Sequence, residues 1–251
     1  MLRERATEPE YFDSPARRPE EIAHGYRELA RVNRLCLFAD PYTRVLGRWL
    51  GHEHCQRLSI LDLGAGDGSL GAQMEQFARR QNWEWQITNL DINPVPLRLN
   101  SNSRNVAGSA LALPFLPDSF DVVIASQMTH HLASEAEVIR HFQEAMRVAR
   151  QAVFITDMKR SAVFYAGVWL MVQLLRLSPG MRADGLLSVR RSWTRAEAAA
   201  LAGRAGLNAA VRSYFGSRWI LAARKSSIPA ASETSAACRG TDGFCSVPLG
   251  R

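Results

Sequence analysis

Three groups of residues in this sequence have types and spacings suited to chemistry. Asp62, Gly64, Ala65, Gly66 and Gly68 form an acid-and-glycine cluster behind an apolar run. Asp91 closes a second apolar run in Leu90-Asp91-Ile92. His130 and His131 follow a third, which ends at Ser126. Glycines let the backbone turn with positive φ and let a ligand approach the main chain closely. A helix start just beyond them offers free N–H groups and a positive dipole end, which suits a carboxylate or phosphate. A carboxylate such as Asp91 accepts two hydrogen bonds, a match for the two hydroxyls of a ribose. A histidine, with a pKa of about 6.5, is able to take a proton from a hydroxyl. Each feature also has a plainer reading. Asp62 could bond amides in its own turn, Asp91 could be a helix-start acid, and one histidine could cap the next helix.

The elements around these residues alternate. Apolar residues at helical spacing over 21–50, broken at Pro41, predict two helices. The strand pattern then recurs at 59–63, 85–91, 105–108, 120–126 and 152–157. Helical patterns fill 69–80, 94–101 (capped by Asn93) and 134–147. This β-α-β spacing implies a parallel sheet covered on both faces. An apolar segment at 161–177 is too short for a membrane span of about 20 residues and reads as a lid or pocket helix. A weak membrane-surface contact by this helix is its second reading. Residues 178–192 read as a loop able to close over the site. Thr194 and Glu197 form a capping box for a further helix ending near Gly203 or Gly206. Strands at 208–215 and 217–224 close the pattern.

The pattern Asp62-x-Gly64-x-Gly66-x-Gly68 resembles motif I of the class I S-adenosylmethionine (SAM) methyltransferases. The dinucleotide fingerprint Gly-x-Gly-x-x-Gly fits less well, because Ser69 stands at its third glycine. The resemblance runs over about 60–224, with its parts in the family's order. It implies a Rossmann-like, doubly wound α/β fold: seven strands, mostly parallel with an antiparallel last strand, plus N-terminal helices and an inserted lid helix. It also implies roles. Gly64, Ala65 and Gly66 would face the methionine end of SAM, and Asp62 its ammonium, directly or through water. Asp91 would take the ribose, and Ile92 would pack on the adenine. Ser109 and Ala110 occupy the stretch beside the adenine, although many relatives carry an acid where Ser109 stands. Ser126 opens a loop that borders both cofactor and substrate. The His130-His131-Leu132 ending is similar to the bacterial type 11/12 and ubiquinone/menaquinone methyltransferases, and makes His131 and His130 the expected catalytic pair. Asp157, ending the fifth strand, could orient one of them.

The implied function is methyl transfer from SAM to oxygen or carbon of a small, largely apolar acceptor: aromatic, quinone or polyketide-like. An RNA or protein methyltransferase, or a SAM-binding protein without turnover, is the alternative. The fourth-strand loop lacks the Asn/Asp-Pro-Pro-Tyr and Pro-Cys sequences of nucleic-acid methylases, so no nucleic-acid partner is expected. The net charge is +7, but Lys159 and Lys225 are the only lysines among 31 basic residues, and arginines occur in short pairs. That pattern reads as a solvated surface. The four cysteines have no zinc-ligand or redox spacing, so no metal is expected, and the N-terminus has no secretory pattern, so a cytoplasmic setting is the default. The expected organisation is a flexible 1–20, a helical cap at 21–58, the SAM-binding domain at 59–225 with its lid at 161–192, and a disordered tail at 226–251.

Overall fold

A computed structural model describes residues 2, 4–14, 17–51, 54–99 and 104–225. The expected tail at 226–251 and the end of the helix expected at 94–101 lie outside the described residues.

Strand β1 (Arg57–Leu63) shows why the sheet forms. Leu58 and Ile60 enter one apolar layer and Leu61 and Leu63 the other. Side chains alternate along a strand, so a strand apolar on both faces must be covered on both. The remaining strands are β2 (Glu84–Asp91), β3 (Asn105–Ala107), β4 (Phe120–Ser126), β5 (Ala149–Met158), β6 (Ala209–Tyr214) and β7 (Arg218–Arg224). Their order is β3-β2-β1-β4-β5-β7-β6. The β1–β2, β1–β4, β2–β3 and β4–β5 pairs are parallel. Strand β7 runs antiparallel to both β5 and β6. This is the seven-stranded, mostly parallel sheet the sequence implied.

The helices are α1 (Pro19–Leu35), α2 (Leu46–Leu50), α3 (Ser69–Arg80), α4 (Pro94–Leu97), α5 (Glu135–Val148), α6 (Ala162–Leu174), α7 (Pro179–Arg191) and α8 (Arg195–Arg204). Ser134 and Glu137 close a capping box on α5, as Thr194 and Glu197 do on α8, which fixes where each chain segment leaves the sheet. Asn93 caps α4 by accepting from the Val95 amide. One layer carries Val138, Phe142 and Ala145 of α5 with Ala198 and Leu201 of α8. The opposite layer carries Met74 and Ala78 of α3 with Tyr42, Leu46 and Leu50. A third cluster joins Val32 of α1, Val168 and Val172 of α6 and Val189 of α7. No helix among the described residues is long and apolar enough to cross a membrane.

Three expectations change. The stretch 178–192 is a helix, not a loop: Ser178 caps it by accepting from Met181 N, and Pro179 occupies the first turn, where a missing N–H is harmless. The first helix ends at Leu35, with Leu37 at positive φ, and Pro41 begins the next helical stretch (Pro41–Val45, a π-turn) instead of breaking one. The described part of 1–20 is not loose: Ala6 and Glu10 are buried and Tyr11–Asp13 form a 3-10 turn.

Tyr42 ties the helical cap to the sheet. Its buried hydroxyl donates to the Ala125 carbonyl at 2.6 Å and lies 2.8 Å from Thr156 Oγ1. Tyr42→Phe leaves the ring packed on Phe154 but strips these carbonyl and hydroxyl groups of their partner. We expect urea unfolding to report a loss of about 1–3 kcal/mol, without a change in the unfolding slope.

Candidate active site

The parallel strands deliver their carboxyl ends to one edge, where ligands bind in such sheets. Beyond β1, Gly64 and Gly66 take φ values of 68° and 57°, and the Gly64 and Ala65 amides donate to the Leu90 carbonyl at 2.8 and 3.1 Å. Asp91 braces the turn from the next strand. Its Oδ2 accepts from Gly66 N and its Oδ1 from Asn93 N, both at 2.8 Å. Burial raises its pKa, and those two amides work against the rise. Close approach also excludes side chains here. A β-carbon on Gly66 would come within 2.6 Å of the Tyr26 ring, and one on Gly64 would collide with Met128.

Asp62 is the unusual group. Both carboxylate oxygens are buried without a hydrogen-bond partner, as are the side-chain amide atoms of Gln127 beyond β4. Burial, and then the charge of Asp91, push the Asp62 pKa up to about 8. A buried carboxylate without a partner is costly, and a cation placed against it removes that cost. The plainer reading, in which Asp62 bonds amides of its own turn, does not hold.

The loop after β4 carries a second polar centre. His130 is buried, with Nδ1 at 2.8 Å from Asp157 Oδ1, while its amide donates to Asp157 Oδ2 at 2.8 Å. His131 keeps 36% of its side chain exposed and pairs Nδ1 with Asp13 Oδ1 at 3.1 Å. Burial alone would lower the His131 pKa; the Asp13 hydrogen bond and the charge of Glu10 reverse that and raise it to about 9. The same contact brings Asp13 down to about 2 against the upward pull of burial. Arg191 holds the loop in place, donating to the His130 and His131 carbonyls at 3.2 and 2.8 Å. Arg5 donates to the His130 carbonyl at 2.8 Å.

The two centres share one sheet edge, with Asp62, Asp91, Ser126 and Asp157 at or next to strand ends. Ile92 is 77% exposed just past β2, open to a planar ligand. Ala110 is buried; Ser109 Oγ is turned inward and accepts from Leu111 N at 3.1 Å. The sequence reading missed Tyr26, Glu10, Asp13 and Arg191. Tyr26 carried a signal, since it lies on the first helix three residues before Leu29 of that helix's apolar series. The others sit in polar stretches without periodicity. Asp91→Ala would free the Gly66 and Asn93 amides. We expect a stability loss of about 1.5–3 kcal/mol and faster amide exchange at Gly66, both measurable without ligand.

The buried, partnerless Asp62 and the side-chain-free glycine turn are chemically suited to the ammonium and carboxylate of an amino-acid-bearing nucleoside. Comparison with known proteins bears on the fold and the family. Residues 61–155 match a family described as a methyltransferase domain. The ubiquinone biosynthesis O-methyltransferase of Stutzerimonas stutzeri (strain A1501) is 28% identical over 130 residues, covering 46% of this chain and 53% of that protein. The chain thus spans about half the length of this curated relative. A SAM-dependent methyltransferase from Aquifex aeolicus shares the fold, with a TM-score of 0.58 at 16% identity, covering 83% of this chain and 98% of that one. So does the Burkholderia thailandensis 1,6-didemethyltoxoflavin-N1-methyltransferase, solved with its acceptor and S-adenosylhomocysteine, with a TM-score of 0.50 at 18% identity and coverage of 85% and 92%. Sheet order, glycine turn and the match over residues 61–155 together make this chain similar to the class I SAM-dependent methyltransferases.

Proposed function

We propose that the protein transfers the methyl group of SAM to oxygen or carbon of a small, largely apolar acceptor. The observation that carries this reading is the partnerless Asp62 carboxylate beneath the glycine turn. When bound, SAM supplies a methyl group already activated on a sulfonium. The protein's task is then alignment in a site closed to water, and positioning of that kind is worth about 7–11 kcal/mol. Asp62 and the amides of Gly64, Ala65 and Gly66 hold the amino-acid end. Asp91 holds the ribose while keeping Gly66 in place, and Ile92 covers the base. Ser109, Ala110 and Ser126 complete the wall. His130 and His131 stand at the acceptor end, fixed by Asp157 and Asp13.

The surroundings support this acceptor class. Helix α6 is almost wholly apolar, and Val163, Trp169, Leu170 and Leu174 remain exposed on it. Such a helix beside the carboxyl edge favours an aromatic, quinone or polyketide-like molecule. The relative from Stutzerimonas stutzeri, an O-methyltransferase of ubiquinone biosynthesis, supports the same class. A screen of phenols, quinones and hydroxylated polyketides for a SAM-dependent gain of one methyl group tests the proposal. Absence of any calorimetric heat with SAM or S-adenosylhomocysteine would overturn it.

Asp62 gives a sharper test. Its pKa of about 8 leaves it protonated at lower pH. A cofactor ammonium favours the carboxylate, so binding below that pH must release a proton. Affinity should therefore rise with pH by up to about tenfold per unit and level off where Asp62 ionises unaided. Calorimetry in buffers of different ionisation enthalpy reads the proton directly. Asp62→Asn should weaken binding and flatten the profile.

A further inference from the structure

His130 and His131 are neighbours in the chain, yet both turn Nε2 toward one carboxylate. Glu10 Oε1 lies 3.6 Å from His130 Nε2, and Oε2 lies 3.9 Å from His131 Nε2. Ligand atoms of these three residues all fall within 4.8 Å of one another. Behind them, each ring has its other nitrogen on an acid: Asp157 for His130 at 2.8 Å and Asp13 for His131 at 3.1 Å. Glu10 is itself oriented, accepting from Ser188 Oγ at 2.8 Å.

We propose that Glu10, His130 and His131 form a binding site for one divalent first-row transition-metal ion, of which Zn²⁺ is the simplest case. Two imidazole nitrogens and one carboxylate are a donor set for zinc, with a fourth position left for water or another small ligand. Metal-bound histidines almost always give their second ring N–H to a carboxylate or carbonyl, which fixes the tautomer that leaves Nε2 free. Here Nδ1 of each ring lies within reach of such a carboxylate. Bonds of about 2.0–2.1 Å in tetrahedral geometry set donor atoms roughly 3.3–3.4 Å apart, so the two Glu10–histidine separations need to close by about half an ångström or less, and the three donors together, now within 4.8 Å, by up to about 1.5 Å. Charge is suited as well. Around the site stand the carboxylates of Glu10, Asp13, Asp157 and Asp184, against the guanidiniums of Arg5 and Arg191. Arg160, nearby, is paired with Glu197 at 2.5 Å. The surplus of negative charge matches a dication. Glu10 and His130 are buried, so entry and the open position lie on the side of the partly exposed His131.

The site joins residue 10 to residues 130 and 131, so metal would fasten the N-terminal segment over the sheet edge. The claim does not depend on methyl transfer. The test uses the full chain, stripped with a chelator and titrated with Co²⁺ while its visible absorption is followed, with Zn²⁺ as competitor. We expect saturation at one equivalent with a tetrahedral Co²⁺ spectrum that Zn²⁺ abolishes. His131→Ala and Glu10→Gln should weaken Co²⁺ binding by about 100-fold or more, and Asp13→Asn by roughly 10–100-fold. Circular dichroism shows whether each variant is folded. Should the first two fail to fold, Asp13→Asn, at a side chain 36% exposed, decides. A parent chain without saturable Co²⁺ absorption, or folded variants binding as tightly as the parent, would overturn the site. Metal binding without SAM binding would remove the proposed function and leave this site standing.

Discussion

The Asp91 carboxylate is the interaction on which the rest of the site depends. It reaches from the end of β2 to the Gly66 amide of the neighbouring turn, and holds Asn93 at the same time. A turn of glycines has many conformations, and ordering it is entropically expensive. One charged acceptor with two amide donors selects a single conformation. The Leu90 carbonyl, which takes the Gly64 and Ala65 amides, completes the clamp. The cradle is therefore a property of two adjacent parallel strands, and the register Leu63↔Leu90 sets its geometry.

Against this rigid edge lies a polar strap. Residues 5–13 run across the carboxyl ends of β4 and β5 and are held by charged side chains more than by apolar contacts. Arg5 donates to the carbonyls of His130, Leu132, Ala133 and Arg191. Asp184 of α7 accepts from Tyr11 N and Phe12 N at 2.6 and 3.0 Å, and burial raises its pKa to about 6. Such contacts weaken steeply with small displacements, so the strap is either seated as a whole or released as a whole.

Much of the fold was legible because its signals are local. Apolar runs such as Val122, Val123 and Ile124, glycines 64 and 66, and the capping boxes at Ser134 and Thr194 each declare an element within a few residues. The same signals place Asp62 and Asp91 at strand ends. Helix α7 was not legible. Pro179, Gly180 and Gly185 suggest a loop, and the segment is helical because its Ser178 cap is held by Glu28 of α1 while Val189 packs in the third apolar cluster. The strap was invisible for a related reason. Glu10 and Asp13 look like any solvated acids until residues more than 110 positions away are placed beside them. No window along the chain contains that information.

That remoteness has a consequence for biosynthesis. The strap is made well before Asp184, Ser188 and Arg191, which anchor it and follow some 170 residues later. A translating chain thus carries residues 5–13 without these three anchors while the first strands of the sheet assemble behind them. Their docking belongs to the end of folding, and a nascent chain halted before α7 would hold the sheet's first five strands with that edge still uncovered.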